Sequence, residues 1–172
     1  MSSEAAQSAA QLARGLQSLV DQSIKPPSET APSAAEGVIY LSMVRGTRGY
    51  LVKLAHQING TYASGWHDAC AVMIRRLVET LIIETYEAHG VQDRIKDKNG
   101  DYLFLRDLVA LVLAETTWTI GRNARKALPK IKDLGDKAAH NRRYNAHRED
   151  IDKILEDLRT LVQELLSLSK LK

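Results

Sequence analysis

The chain has 172 residues, 44% of them apolar, with 24 Lys plus Arg against 21 Asp plus Glu and a formal net charge of +3. A chain of this size buries about two thirds of the surface it exposes when unfolded, so its core needs neither a disulfide nor a structural metal. The single Cys excludes an internal bridge, the longest apolar run (108–114) is far short of the ~20 residues of a membrane span, and residues 1–10 carry Glu4 with no basic residue, unlike a signal peptide. These features predict a cytoplasmic protein in a reducing setting, with Cys70 as a small core hydrophobe.

In chain order, residues 3–22 predict an amphipathic helix, because Ala5, Ala9, Leu12, Leu16 and Leu19 recur at helical spacing behind Ser2 or Ser3. The stretch KPPSETAPS (25–33) stops it, having three prolines and no bulky apolar residue. The expected organisation is an N-terminal helical arm (1–24), a Pro-rich linker (25–35) and a body (36–172). Residues 38–44, between Gly37 and Gly46, are apolar but too short to assign to helix or strand. From Thr47, the stripe Leu51, Leu54, Ala55, Ile58 and Tyr62 predicts a helix ending at Ser64 and Gly65. Trp66 opens a second helix to about His89, apolar on most of its circumference from Ala69 to Ile83, as a central buried helix should be. On it Arg75 and Glu79 are four apart, the spacing of a surface ion pair; a partly buried Arg or Glu lining a site is the other reading.

Residues 90–100 are polar and turn-rich. Asp101 is placed to cap a helix carrying Leu103, Leu105, Leu108, Val109, Val112 and Leu113, with a break at Gly121. Residues 122–128 predict a short basic helix that Pro129 either ends or follows with a new start. Residues 131–140 have weak periodicity around Gly135. The last segment predicts one helix over five turns, with Ile151, Ile154, Leu155, Leu158, Leu161, Val162, Leu165 and Leu168 behind an acidic start. No segment alternates, so the expected fold is an all-α, compact four-to-five helix bundle.

The positive charge is concentrated. Residues 122–148 hold nine basic and two acidic side chains, and the other segments are each slightly acidic. A local excess of this kind attracts polyanions, nucleic acid backbones above all, although charge runs are also ordinary solvated faces. No phosphate-binding glycine loop, zinc-type cysteine pair or Gly-x-Ser-x-Gly elbow occurs, and no cofactor or metal is expected. Two His seven apart, His140 and His147, make no credible ligand set. Asp136, one helical turn before His140, is placed to orient its imidazole for acid-base work.

Arg75 to Glu79 as Arg-Arg-Leu-x-Glu, followed by Gly135-Asp136-Lys137-Ala138-Ala139-His140 before a long terminal helix, resembles a bacterial helical family of unassigned function. That family is usually placed in the HEPN superfamily, the higher eukaryotes and prokaryotes nucleotide-binding helical domains. Its Gly-Asn-x-x-Ala-His motif is matched at Gly135, Ala139 and His140, with Asp136 where Asn is usual, and the likeness spans about 47–168. The resemblance implies a bundle that is often dimeric and, in active relatives, a metal-independent ribonuclease of defence or toxin systems. Such relatives carry Arg-x-x-x-x-His. Aligned on His140 the Arg position is Gly135, whereas Arg142 and His147 satisfy the spacing in a second register.

Two functions stand at this point. One is RNA or polyanion binding through Lys132, Lys137, Arg142, Arg143 and Arg148, with His140, or His147 with Arg142, as candidate catalytic groups of a ribonuclease and Gly135 and Asp136 in support. The other is a non-catalytic helical interaction or dimerisation module, using the arm or the last helix. A homodimer is expected from the wide apolar face of that helix.

Overall fold

The computed structural model describes residues 11–16 and 37–172. Residues 11–16 are helical, with Leu12 and Leu16 exposed; the remainder of the expected arm and the whole linker lie outside the described residues. The body runs α1 (Leu41–Val44), α2 (Gly49–Ala63), α3 (His67–Ala88), a 3-10 turn (Gln92–Ile95), α4 (Leu105–Ala114), α5 (Arg122–His140), α6 (Arg148–Asp152) and α7 (Leu155–Leu168). Among the described residues the only extended pairing is an isolated bridge between Lys96 and Tyr102, so the fold is all-α.

The central element is α3, which packs against α2, α5 and α7. Its 22 residues bury Cys70, Ala71, Ile74, Leu77, Val78, Leu81 and Ile82, as its nearly continuous apolar surface requires. Cys70 is fully buried, and burial pushes its thiol up to about 12, so it is an inert core group. The joint between α2 and α3 closes with two bonds, Trp66 N–H to Thr61 O at 2.8 Å and Gly65 N–H to Tyr62 O at 3.1 Å. That Schellman pattern needs a left-handed residue at its centre, and Gly65 has φ +77°.

Residues 38–44 resolve into a bend followed by the short α1, with Val38, Ile39 and Val44 fully buried. Asn59 of α2 holds this segment: its amide accepts the Ile39 N–H at 2.9 Å and donates to the Ile39 carbonyl at 2.8 Å. Arg159 of α7 donates to the carbonyls of Gly37 and Val38 at 2.9 and 3.2 Å. The body therefore includes the chain from Gly37 onward.

Three expectations need correction. Pro129 is neither an end nor a start, because α5 continues through it. Proline removes one helical hydrogen bond, but Ala124, Ala127, Leu128, Ile131, Leu134 and Gly135 form one buried stripe across it, and packing on α3 and α7 holds the two halves in line. The final helix is interrupted at 153–154, where the Ile154 N–H turns to Ile151 O at 3.0 Å, a tighter bond than the helical one. Asp101 does not cap α4. The Asp97 carboxylate instead accepts the N–H groups of Asn99 and Asp101, folding 97–101 into a turn, and α4 starts at Leu105.

The apolar face of α7, Leu158, Leu161, Val162, Leu165 and Leu166, is buried inside the chain against α5 and α3. That face, on which pairing of two copies was expected, is thus used within one copy. Glu164 on the same helix accepts the Gly121 N–H just before the start of α5.

Candidate nucleic-acid interface

The motif residues lie at the C-terminal end of α5 and in the loop that follows. Gly135 is buried where α5 crosses α3: a Cβ built on it would lie 2.6 Å from the Arg75 Cβ. No side chain fits there. The Arg75 side chain passes this point and reaches Asp136, Nε to Oδ1 at 2.9 Å, while Nη1 lies 3.5 Å from Glu79. Lys132 reaches the other Asp136 oxygen at 2.9 Å and Asp133 at 3.1 Å. Both oxygens of Asp136 are therefore held by cations, and its expected hydrogen bond to His140 is replaced by these two ion pairs. Burial pushes the Asp136 carboxyl up, but the bonds from Lys132 and Arg75 outweigh it and hold the pKa below the ordinary value; Lys132 is raised in turn by Asp136 and Asp133.

Beyond this network Asp136, Lys137, His140, Asn141, Arg142 and Arg143 surround a shallow, open depression of about 640 Å³. Lys137 and His140 occupy the last turn of α5, where the unpaired helix carbonyls favour positive charge. Arg142 and Arg143 follow in a turn closed by the Asn141 side chain, whose Oδ1 accepts the Arg143 N–H at 3.0 Å. The rest of the loop is tied down at two points. Ala146 N–H donates to Asp68, in the first turn of α3, at 2.8 Å, and Tyr144 OH donates to Asp150 at 2.9 Å.

The six basic residues from Lys130 to Arg148 thus divide into two groups. Lys130 pairs with Asp157 at 2.9 Å, Lys132 with Asp133 and Asp136, and Arg148 lies 3.6 Å from Asp152 with its guanidinium 5.1 Å from the Tyr62 ring centroid. Lys137, Arg142 and Arg143 are exposed and make no ion pair among the described residues. Of the candidates read from the sequence, Lys137, His140, Arg142 and Arg143 come together, with Asp136 as a wall. His147 and Arg148 stand at the start of α6, where the His147 N–H donates to Asp150 at 3.0 Å.

The spacing of four pairs Arg75 with Glu79, and the structure gives the same guanidinium a second partner. Its partner Asp136 is 61 positions away, and no spacing rule connects them. Asp68, Tyr144 and Asn141, which shape the loop, carried no signal beyond being polar residues near turns.

Chemically the depression presents three free cations and an imidazole, and it has the hydrogen-bond donors that phosphate oxygens take. Among the described residues no group of His, Cys, Asp and Glu is placed to hold a metal ion. No curated protein and no solved structure matches the chain. Residues 57–172 match the family described as "Domain of unknown function (DUF4145)", and with that match covering most of its length the chain belongs to this family.

Proposed function

We propose that this protein binds RNA, or a polyanion with the same phosphate backbone, at the depression formed by the end of α5 and the loop after it. The observation that carries the reading is the gathering of Lys137, His140, Arg142 and Arg143 around one concave surface, without acidic partners, while the neighbouring Lys130, Lys132 and Arg148 are neutralised. Cations already paired release few counterions when a phosphate arrives; unpaired ones contribute fully. The motif residues Gly135, Ala139 and His140 lie in the last two turns of the same helix, and an HEPN-like assignment is part of this reading.

Ribonuclease chemistry needs a His to move the proton of a 2′-hydroxyl or leaving oxygen, and a cation at the phosphate. His140 with Arg142, Arg143 or Lys137 supplies both residue types, but the buried Gly135 leaves no room for an Arg five positions before His140. Binding is therefore the reading, with cleavage as a measured outcome.

The test is a salt titration with a labelled single-stranded oligoribonucleotide. Replacing Lys137, Arg142 and Arg143 by Ala is expected to flatten the dependence of log K on log salt by up to about two units, at roughly 0.7 per phosphate on a single strand. The control triple Lys130→Ala, Lys132→Ala, Arg148→Ala is expected to change it by less than half as much. An equal effect of the two triples, or no binding at low salt, overturns the proposal.

A further inference from the structure

Asp136 has two positions at once. It is a wall of the depression, and it is the shared partner of Arg75 and Lys132. The cluster behind the depression contains two cations, Arg75 and Lys132, and three carboxylates, Glu79, Asp133 and Asp136. It is net negative by one, and the carboxylate that tips it is the one facing the depression. A phosphate seated among Lys137, His140, Arg142 and Arg143 meets this carboxylate as a neighbour of its own sign, while Arg75 and Lys132 are taken up by Asp136, Glu79 and Asp133.

We infer that Asp136 is a built-in counter-anion that holds down the affinity of this surface for phosphate, and that neutralising it removes the negative charge from the wall of the depression while Arg75 stays with Glu79 and Lys132 with Asp133. The two Asp136 oxygens are held in place by Arg75 and Lys132, which fixes the negative charge at the wall of the depression. The inference rests on the proposed polyanion site and assigns it a determinant of affinity. With Asn in its place the side chain keeps its shape and loses its charge, and the cluster becomes neutral.

The size of the effect follows from Coulomb's law. One unit charge within several ångströms of a bound phosphate, in surroundings close to water in dielectric, changes affinity by about three- to tenfold. The salt dependence changes as well, because the surface that meets the phosphate gains one net positive charge; log K against log salt should steepen by up to roughly 0.7.

The experiment compares wild type, Asp136→Asn and Asp136→Ser in binding a fluorescent oligouridylate of about 20 nucleotides between about 50 and 200 mM salt, with thermal melts to establish folding. Tighter binding and a steeper salt slope in both variants support the inference, as does binding by the variants where wild type shows none. Equal or weaker binding by folded variants, with wild type binding, overturns the counter-anion role and leaves the site standing. Absence of binding in all three proteins overturns both. Unfolding of both variants overturns the inference by making Asp136 a group that holds the fold.

Discussion

Gly135 of α5 packs directly on Arg75 of α3: α5 has no side chain at this position because the stem of Arg75 fills the space, and a Cβ there would sit 2.6 Å from the Arg75 Cβ and 3.1 Å from its Cγ and Cδ. Glycine inside a helix costs about 1 kcal/mol relative to alanine in propensity alone. Contact between α3 and α5 offsets that cost, and it brings the Arg75 guanidinium onto Asp136.

Gly135→Ala is accordingly expected to destabilise the protein by about 1–3 kcal/mol despite the gain in helix propensity. Arg75→Ala does not rescue it, because the Cβ that makes the clash remains. Chemical denaturation of the two single variants and the double variant checks this; a stabilised Gly135→Ala would refute the close packing.

Acid stability is expected to depend on Glu115. Burial pushes its carboxyl up, but the Thr117 N–H and hydroxyl, the Thr116 N–H and the charge of Arg94 outweigh burial and bring it down to about 2. The bonds are 2.9, 2.7 and 2.9 Å, and Arg94 stands at 3.2 Å. An unfolded Glu titrates near about 4.3, so the folded state binds its proton less readily. The stabilisation is complete above about pH 4.3 and is lost as pH falls towards 2. Asp136, lowered by Lys132 and Arg75 against its burial, adds to the loss with the same sign. Glu115→Gln is expected to cost about 1–3 kcal/mol at neutral pH and to flatten the acid limb of the melting curve. Thermal melts from neutral to acidic pH measure both.

The helices were legible where apolar residues repeat and local signals agree. The stripe from Leu51 to Tyr62 and the Gly65 turn predicted α2 and its end, and the apolar girth of α3 predicted a central helix. Sequence signals failed where tertiary packing overrode a local rule, as at Pro129, whose helix-breaking tendency is weaker than the buried stripe that spans it. The site was half legible. Its residue types and the local charge excess could be counted along the chain, and Lys132 and Arg148 pair with acids within four positions, but the partners of Lys130 and Asp136 include residues far away in sequence. Asp157 for Lys130 is 27 positions off, and Arg75 for Asp136 is 61.

The structured body extends beyond the family match. Residues 57–172 begin in the middle of α2 and omit Val38, Ile39, Val44, Leu51, Leu54 and Ala55, all buried in the core. A chain of 57–172 is expected to fail to fold cooperatively, whereas 37–172 is expected to melt as one unit. Within the longer chain Asn59→Ala removes both side-chain bonds to Ile39 and is expected to cost about 1–3 kcal/mol. A cooperative melt from 57–172 would show that the first helices are dispensable.

The two histidines give opposite expectations for RNA. His140 lies in the depression among Lys137, Arg142 and Arg143, whereas His147 lies past the loop at the start of α6, its backbone bound to Asp150. Arg142 and His147 are not on one helix, since α5 ends at His140 and α6 begins at Arg148. Binding without cleavage is the expected outcome for purified protein in chelator, because Gly135 excludes the arginine that the motif would place beside His140. His140→Ala is then expected to weaken binding a few-fold, about the contribution of one polar contact, and His147→Ala to leave it unchanged. If RNA is cut, a fall of about 10²- to 10⁴-fold in His140→Ala alone assigns the proton transfer to the depression. The same fall in His147→Ala and Arg142→Ala, with His140→Ala active, moves the chemistry to the start of α6 and overturns the site as described.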